Sequence, residues 1–502
     1  MGSAASKPVP LNEKASSAER EPARTDMTEQ ASWESSDGIT ALPPYRTQER
    51  VISLTLPRVN DWNQTLLSNP KNRLAISSFA DHSFADILIN HNALKLDQHI
   101  FNLTVPVEGT PITNQRSSGR CWIFAATNIF RLPLIKAYQL KDFELSQAYL
   151  FYWDKIEKAN WFFEQIIATA HEDLSSRLVQ KLCQDPVSDG GQWDMVVNLV
   201  QKYGLVPHTL YPDAYHAQNS AKMNWLLTTK LRDQAFVLRE LAAKDPRSLA
   251  GAKEQFLQEI HSLVTLLLGP PPSPDKKFVW QFSDANGTAR DVQLTPLEFA
   301  QQAFRPRSIS RGHPTVSTGR LFSLVNDPRH KFNRLLTIER LGNVVEGRPI
   351  TYVNVEIHTL KNAIIAMLRA GYPVFFGCDV GKFYDRDRGV LDTDLTDLAL
   401  GFNIKLSMSK AQRVAIGASS MTHAMVITGV HLEGDRPVRW RVENSWGEEV
   451  GKDGWFVMTD RWMDEYTFQA VVDFNFVSAE VQAILEQSPK VLPRWDPMGV
   501  LA

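Results

Sequence analysis

The sequence predicts an α+β fold with two lobes and a large helical insertion. In the first half of the chain, apolar residues recur at helical spacing, most clearly in residues 121–138. Beyond about residue 351, apolar residues form short runs between turn residues, which is typical of strands. Residues 215–345 separate these halves with amphipathic helical stretches and a proline-rich segment. Helices and strands segregated in this way indicate the α+β class.

These patterns divide the chain into consecutive segments. Residues 1–50 are rich in Ser, Ala, Glu, Thr and Pro and too poor in aliphatic residues to bury a core, so we predict a disordered tail. We predict a helical lobe over 51–214, a helical insertion over 215–345, a β-rich lobe over 346–485 and a C-terminal segment over 486–502.

The same periodicity predicts individual elements. The predicted helices are Cys121–Tyr138, Leu145–Ile167, Gln192–Tyr203, Trp225–Lys244 and Gly251–Leu268. The predicted strands are Tyr352–Val355, Val374–Gly377, Ala424–Val430, Trp440–Asn444 and Trp455–Met458.

Composition and cysteine content restrict the function classes. The chain has 502 residues and a formal net charge of -2, which demands neither a nucleic-acid nor a membrane partner. No apolar run reaches the roughly 18 residues that a membrane-spanning helix needs. The three cysteines, Cys121, Cys183 and Cys378, are too few for a disulfide framework and indicate a reducing compartment. No pair of them has the spacing of zinc ligands, so we expect neither a metal nor another cofactor.

The N-terminal residues do not clearly indicate a cellular location. It lacks the apolar core of a secretory signal, and its acidic residues are untypical of a mitochondrial presequence. Residues 1–6 fit the pattern for N-myristoylation at Gly2, although Gly and Ser are also common near a start site. We therefore predict a cytoplasmic protein and leave acylation at Gly2 open.

Cys121 is a candidate nucleophile because it begins a strongly helical run. The N-terminus of a helix carries partial positive charge and unpaired N–H groups, which favour thiolate over thiol. Arg120, immediately before it, is expected to add to that field. The alternative is a buried and unreactive cysteine.

A thiolate nucleophile needs a base, and the base needs a residue that orients its ring. His423 opens an apolar strand, where an imidazole would be awkward without a purpose. Asn444 ends the next predicted strand, so two adjacent antiparallel strands would place the pair side by side, with Trp446 covering their hydrogen bond. The alternatives are an ordinary loop histidine and a simple turn at Asn444.

Gln115 is a candidate oxyanion donor. It lies six residues before Cys121, and its side-chain amide can donate to the oxyanion of a tetrahedral intermediate. The backbone N–H of Cys121, exposed at a helix start, is the second candidate donor. Gln115 can equally be an ordinary loop amide.

These residues carry a family resemblance. The segments that resemble the motifs of papain-like cysteine peptidases, in the same order, are 115–122, 422–424 and 443–447. The resemblance implies a two-lobed fold, with a helical lobe and a β-barrel-like lobe. It assigns the roles of nucleophile, base, orienting residue and oxyanion donor, respectively, to Cys121, His423, Asn444 and Gln115.

Two departures from the papain pattern are informative. Cys121 and His423 lie about 300 residues apart, roughly twice the expected separation, and the insertion at 215–345 accounts for the excess. Ser118 and Ser188 stand where papain-like enzymes have a disulfide pair. Their joint occurrence fits an intracellular enzyme.

The closer resemblance is to the bleomycin hydrolase group of this family. It extends from about Asn60 to the C-terminus and is most specific over 492–502. It implies a ring-shaped homohexamer, with 215–345 as the candidate oligomerisation region, and a C-terminal arm in the active-site cleft. Leu501 and Ala502 would then block the cleft, and the Ala502 carboxylate would pair with the α-ammonium group of a peptide substrate. Such an arm converts an endopeptidase cleft into an aminopeptidase.

The resemblance also implies particular substrates and an alternative function. The substrates are the amide of bleomycin and homocysteine thiolactone, and a mitochondrial pool is implied beside the cytoplasmic one. Fungal relatives are associated with nucleic-acid binding. A nucleic-acid-binding hexameric ring with secondary peptidase activity is therefore the alternative, although no sequence feature independently indicates such binding.

Overall fold

The computed structural model describes residues 54–304 and 318–501. The predicted disordered tail, the acylation candidate Gly2 and the terminal Ala502 lie outside the described residues. Within the described ranges, no helix is long and apolar enough to cross a membrane.

The chain divides into two units, Met1–Ser68 and Asn69–Ala502. The described part of the first unit contains helix α1 (Leu56–Ser68), which buries none of its residues. All other described elements belong to the second unit, which contains the large sheet and every candidate site residue that the structure describes.

The helices of the second unit include several of 18 or more residues. In chain order they are α2 (Pro70–Asp81), α3 (Phe84–Ile87), α4 (His91–Leu96), α5 (Cys121–Tyr138), α6 (Gln147–Ala168), α7 (Arg177–Gln184), α8 (Trp193–Tyr203), α9 (Tyr215–Gln218), α10 (Ala221–Lys244), α11 (Leu249–Leu268), α12 (Pro296–Phe304), α13 (Ile357–Arg369), α14 (Leu398–Phe402), α15 (Lys410–Ala415), α16 (Asp460–Tyr466) and α17 (Ala479–Ile484).

The strands form one large sheet and one hairpin. In chain order they are β1 (Leu103–Thr104), β2 (Phe278–Ser283), β3 (Ala289–Leu294), β4 (Leu321–Val325), β5 (Arg334–Ile338), β6 (Thr351–Asn354), β7 (Val374–Cys378), β8 (Tyr384–Asp385), β9 (Val390–Leu391), β10 (His423–Glu433), β11 (Arg436–Glu443), β12 (Trp455–Thr459), β13 (Thr467–Asp473) and β14 (Lys490–Leu492). The large sheet has the order β14-β5-β6-β4-β13-β7-β10-β11-β12-β9-β8, with β1 also on β10, and β2 pairs with β3 alone.

Helix α5 is the central helix of the core. Its residues are predominantly apolar, and those from Cys121 to Asn128 are all buried. It packs against β10 on one side and against α12, α6 and α8 on others. Burial on several faces explains why this helix has apolar residues nearly all round, rather than one apolar stripe.

Strands β10 and β11 form an antiparallel pair in the middle of the large sheet, with Val426 opposite Glu443. This register places the first residue of β10 near the last residue of β11. On its other edge, β10 pairs with β7, with His423 opposite Cys378. Strand β7 therefore pairs with β10 from its first residue, and β11 pairs with it from Val426 onward.

The predicted elements are found close to their predicted bounds. The helix from Cys121 to Tyr138 is confirmed at both ends, and Gly204 ends α8 with a positive φ of 78°. A Cβ on Gly204 would lie 2.1 Å from the carbonyl carbon of Pro296, so the close approach of these segments requires glycine.

The segment predicted as a helical insertion, 215–345, differs in part from the prediction. It contains α10 and α11, but also the hairpin β2–β3 and strands β4 and β5, which lie in the large sheet. The sequence prediction did not include these strands. Strand β4 is short and buried throughout, and periodicity does not distinguish such a run from a buried helical turn.

Candidate active site

Cys121 lies at the first turn of α5 and faces the start of β10. Its side chain is buried, with 2% of the residue exposed. Its sulfur accepts a hydrogen bond from the backbone N–H of Ala424, the residue after His423. The two halves of the chain therefore meet at this sulfur.

His423 and Asn444 form the hydrogen bond that the sequence predicts. His423 Nε2 and Asn444 Oδ1 are 2.9 Å apart. Asn444 Oδ1 also accepts from the backbone N–H of Ser445 at 2.8 Å, which fixes the oxygen of this amide toward the ring. His423 Nε2 is then the donor, and Nδ1 is left without a proton and able to act as a base.

Trp446 covers the histidine. The ring centroids of His423 and Trp446 are 4.9 Å apart with an interplanar angle of 30°. Phe456 supports Trp446 edge-on at 5.7 Å. The hydrogen bond between His423 and Asn444 is thus buried beside aromatic rings, where it is stronger than in water.

Gln115 links the loop before α5 to the turn after β11. Its backbone N–H donates to Ser445 O at 2.9 Å, and Ser445 Oγ donates to its Oε1 at 2.7 Å. Its Nε2 donates to Ser118 O at 2.7 Å. An amide nitrogen carries two hydrogens, so one remains for an oxyanion beside Cys121.

Burial suppresses a lone charge on either Cys121 or His423. Burial raises the pKa of the Cys121 thiol to about 11, against the opposing hydrogen bonds from backbone N–H groups. Burial lowers the pKa of His423 to about 4, against the hydrogen bond with Asn444. Proton transfer from the sulfur to the imidazole would instead create both charges together, and their attraction in a low-dielectric site would offset the cost that each has alone.

The expectation that Arg120 adds to the field at Cys121 is wrong. The Arg120 guanidinium binds both carboxylate oxygens of Asp213, at 2.8 Å and 2.7 Å, and its Nε donates to Ser118 Oγ at 2.9 Å. Its charge is therefore neutralised within an ion pair. The helix N-terminus and the N–H of Ala424 provide the field at the sulfur instead.

Sequence reasoning missed Asp189, whose carboxylate joins the two loops that carry Ser118 and Ser188. Asp189 Oδ2 accepts from the backbone N–H of Gly119 at 2.9 Å, and Oδ1 accepts from Lys155 Nζ at 2.7 Å. These partners hold the pKa of Asp189 well below its usual range, although burial opposes them. The turn Asp189-Gly190-Gly191 can be recognised in the sequence, but nothing in the sequence indicates that Lys155 on α6 is the partner of Asp189.

The C-terminal segment approaches the start of α5. Gln192 Nε2 donates to Val500 O at 2.9 Å. The preceding residue, Gly191, lies against Trp122, and a Cβ there would be 2.3 Å from the Trp122 ring. Val500 is therefore held beside the loop that packs on Trp122, the residue after Cys121, and the next residue, Leu501, is half-buried.

The described residues include one group with the composition of a metal site, formed by Asp327, His330 and Asp496. Arg329 already bonds both carboxylates, at 2.7 Å to each. The cluster is therefore an ion-pair network, and it joins the loop after β4 to the C-terminal segment.

Comparisons with known proteins agree with this geometry. The model of the peptidase C1-like family matches residues 53–499. The chain is 42% identical to "Cysteine proteinase 1, mitochondrial" of Saccharomyces cerevisiae, over 90% of this chain and 93% of the relative. It is 41% identical to bleomycin hydrolase of Homo sapiens, over 88% of this chain and 96% of the relative.

A solved structure gives the same result. The crystal structure of PepW from Lactobacillus rhamnosis HN001 superposes with a TM-score of 0.84 at 37% sequence identity, covering 90% of this chain and 99% of that one. The large sheet, the long helices and the order of the motifs are those of the papain-like fold. The chain therefore belongs to the peptidase C1-like family and is a papain-like cysteine peptidase.

Proposed function

We propose that this peptidase is an aminopeptidase in which Cys121 is the nucleophile, His423 the base and Asn444 the residue that orients it. The observation that carries the assignment is the 2.9 Å hydrogen bond between His423 and Asn444, beside a sulfur bonded to the N–H of Ala424. This arrangement supplies an activated thiolate and a fixed imidazole tautomer, which are the two requirements of thiol catalysis.

The acylation step follows from these roles. The Cys121 thiolate attacks the carbonyl carbon of the scissile amide, and the carbonyl oxygen becomes an oxyanion. Gln115 Nε2 and the backbone N–H of Cys121 donate to that oxyanion. The imidazolium of His423 then protonates the departing amine, the C–N bond breaks, and a thioester to Cys121 remains.

The deacylation step uses the same groups. His423 takes a proton from water, which attacks the thioester carbonyl, and the oxyanion forms again beside Gln115. The C–S bond breaks, the carboxylic acid product leaves, and the thiol–imidazole pair is restored. Asn444 keeps the ring in one orientation through both steps, so no reorientation of the base is required.

The C-terminal segment supports the aminopeptidase assignment. The contact from Gln192 to Val500 holds the arm beside the loop that packs on Trp122, and from there the arm would extend into the cleft at Cys121. An arm that occupies the cleft in this way would leave room for only a short stretch of substrate on that side. The terminal carboxylate of Ala502 would pair with a substrate α-ammonium group, which is a charge-assisted contact.

The same chemistry extends to two smaller substrates. One relative is named bleomycin hydrolase, and we include the amide of bleomycin in the proposed substrate range. Homocysteine thiolactone has a free amino group next to a thioester carbonyl, so the thiolate of Cys121 would attack that carbonyl as it attacks the carbonyl of a peptide amide. The C–S bond of the ring would then break, and the imidazolium of His423 would protonate the departing thiolate. Both substrates present an ammonium group that the arm's carboxylate would bind.

The cellular location that we propose follows from the free state of the cysteine thiols. Cys121, Cys183 and Cys378 are all free. Free thiols, one of them the proposed nucleophile, suit a reducing compartment, so we propose a cytoplasmic protein. One relative is named as mitochondrial, and the proposal therefore includes a mitochondrial pool.

A homohexameric ring is proposed on the exposed apolar residues of the helical insertion. On α10, Trp225 is 67% exposed and Phe236 is 61% exposed. They are three helical turns apart and lie on the same face. Large aromatic side chains exposed together on one face are typical of protein–protein interfaces.

Replacement of the nucleophile tests the central assignment. We expect Cys121→Ala to lose at least about 10³-fold in kcat/KM for a peptide with a free N-terminus, because the acyl intermediate no longer forms. The matched control is Cys183→Ala, which removes a cysteine on α7 and should retain activity. Activity of Cys121→Ala near that of the control would remove the assignment.

The pH dependence of alkylation tests the role of His423. In the unaltered enzyme, proton transfer to the imidazole lets Cys121 react with iodoacetamide near neutral pH. In His423→Ala the thiol has no base, and burial raises its pKa to about 11, so its rate should increase about tenfold per pH unit between pH 7 and 10. Mass spectrometry of the Cys121 peptide gives the rates. The same flat profile in both proteins would contradict this role.

Removal of Leu501 and Ala502 tests the arm. We expect a lower rate of N-terminal residue release and new cleavage inside peptides, because the cleft is no longer blocked. Mass spectrometry of the products from one decapeptide, with and without N-acetylation, distinguishes the two modes. An unchanged product pattern would contradict the role of the arm, while leaving the peptidase assignment intact.

Charge substitution on α10 tests the hexamer. We expect the double variant Trp225→Glu, Phe236→Glu to sediment as a smaller species than the unaltered chain in analytical ultracentrifugation, because four or more charges would be buried in symmetric interfaces. Ile416→Glu is the control, since Ile416 is 69% exposed and lies outside the insertion. A hexamer that persists in the double variant would exclude this face as the interface.

A further inference from the structure

We propose that Arg329 is a positioning residue that fixes the end of the C-terminal arm and thereby contributes to aminopeptidase selectivity. The inference rests on the proposed function, because it takes the arm as the feature that limits the cleft. Arg329 lies in the loop after β4, more than 160 residues before the arm residue that it binds. No step of the proposed chemistry uses it.

Arg329 bonds two carboxylates at once. Its Nη2 donates to Asp496 Oδ1 at 2.7 Å, and its Nη1 donates to Asp496 Oδ2 at 3.3 Å. On the other side, its Nε and Nη2 donate to the Asp327 carboxylate at 2.9 Å and 2.7 Å. The side chains of Arg329, Asp496 and Asp327 are 14%, 10% and 0% exposed, so solvent screens this network only weakly.

Asp327, the more buried of the two carboxylate partners of Arg329, is fixed to the large sheet through its backbone. The backbone N–H of Asp327 donates to Asn354 Oδ1 at 2.9 Å, and Asn354 Nδ2 donates to Asp327 O at 3.1 Å. Asn354 is the last residue of β6 and is fully buried. Arg329 is therefore oriented by the core of the sheet and not by the arm.

Asp496, the other carboxylate partner of Arg329, accepts hydrogen bonds from the residues that follow it in the arm. Asp496 Oδ1 accepts from the backbone N–H of Met498 at 2.9 Å, and Asp496 O accepts from that of Gly499 at 2.8 Å. Met498 is buried, and Val500, two residues later, accepts a hydrogen bond from Gln192 through its carbonyl oxygen. A displacement of Asp496 therefore moves the residues that, in the proposed function, extend toward Cys121.

The other attachments of the arm do not replace this one. Strand β14 pairs with β5 at the base of the arm, before Asp496. The Arg177 guanidinium lies 4.4 Å from the ring centroid of Trp495, a contact that is weaker than a buried charge pair. Loss of Arg329 would also leave the Asp327 and Asp496 carboxylates facing each other, and their repulsion would displace the arm from this position.

The readout is a selectivity ratio. It is kcat/KM for release of the N-terminal residue from a peptide, divided by kcat/KM for internal cleavage of the same peptide after N-acetylation. We expect Arg329→Gln to lower this ratio about tenfold or more, mainly through a higher KM for the free peptide. All assays contain EDTA, because Asp327, His330 and Asp496 would be close enough to bind a divalent cation once the guanidinium is removed.

A second variant separates charge from structure. In Asp496→Asn the side-chain oxygen can still accept from Met498 N–H, so the local turn is retained while the ion pair with Arg329 is lost. We expect the same shift in the ratio, and a double variant that changes it no further than either single variant. The matched control is Arg348→Gln, which breaks the ion pair of the partly exposed Arg348 with the buried Asp194 at 2.6 Å. The hydrogen bonds of Arg348 go to Asn198, Thr318 and Leu321, which lie outside the arm.

The outcomes are distinguishable. An Arg329→Gln protein with lower thermal stability but an unchanged ratio would overturn the proposal, as would an equal change in the Arg348→Gln control. Additive effects of Arg329→Gln and Asp496→Asn would overturn it too. If removal of Leu501 and Ala502 changes the ratio and Arg329→Gln does not, the proposed role of Arg329 is wrong and the proposed role of the arm stands. If neither changes it, the proposed role of the arm fails.

Discussion

The contact between the first turn of α5 and the start of β10 is the constraint on which the site depends. The backbone N–H of Ala424 donates to the sulfur of Cys121, and the adjacent His423 is held by Asn444 on β11. The large apolar area that α5 buries against β10 holds this contact in place. Loop-closure entropy grows slowly with length, so an insertion of more than a hundred residues between these elements is tolerated.

Polar networks take the structural place that a disulfide has in related peptidases. The Asp189 carboxylate connects the loop before Cys121 to α6 through Gly119 and Lys155. Arg120 is neutralised by Asp213 on a second loop. Buried charges are stable only when each has its partners, so these networks fix the loop geometry strongly. They are also independent of redox conditions, which suits a site whose nucleophile must stay reduced.

In the proposed function, the C-terminal arm is a covalently attached segment that occupies the active-site cleft as a bound ligand would. Attachment at β14 keeps the arm at a high effective concentration near its contacts, so modest contacts would be sufficient to hold it in the proposed position in the cleft. Arg329 and Gln192 then hold Asp496 and Val500 of the arm, respectively. Selectivity of the proposed kind would therefore depend on contacts remote from the sulfur, while the chemistry depends on contacts adjacent to it.

The sequence by itself determined the local elements and the identity of the chemical groups. Helix periodicity located α5, and alternation with turns located β10 and β11, because these patterns reflect local backbone geometry. The motifs around Cys121, His423 and Asn444 identified the family because each residue type has a chemical requirement that few others meet. Strands β4 and β5 were missed, since short buried runs have no distinctive period.

Only the tertiary structure decided which groups are partners. Arg120 is next to Cys121 in sequence, yet its charge is directed to Asp213. Asp189 and Lys155 form an ion pair between separate elements, and Arg329 binds Asp496 across more than 160 residues. Such pairings depend on how helices and strands pack, and no local pattern encodes them. The physical reason is that side-chain electrostatics act over a few ångströms in space, whatever the separation along the chain.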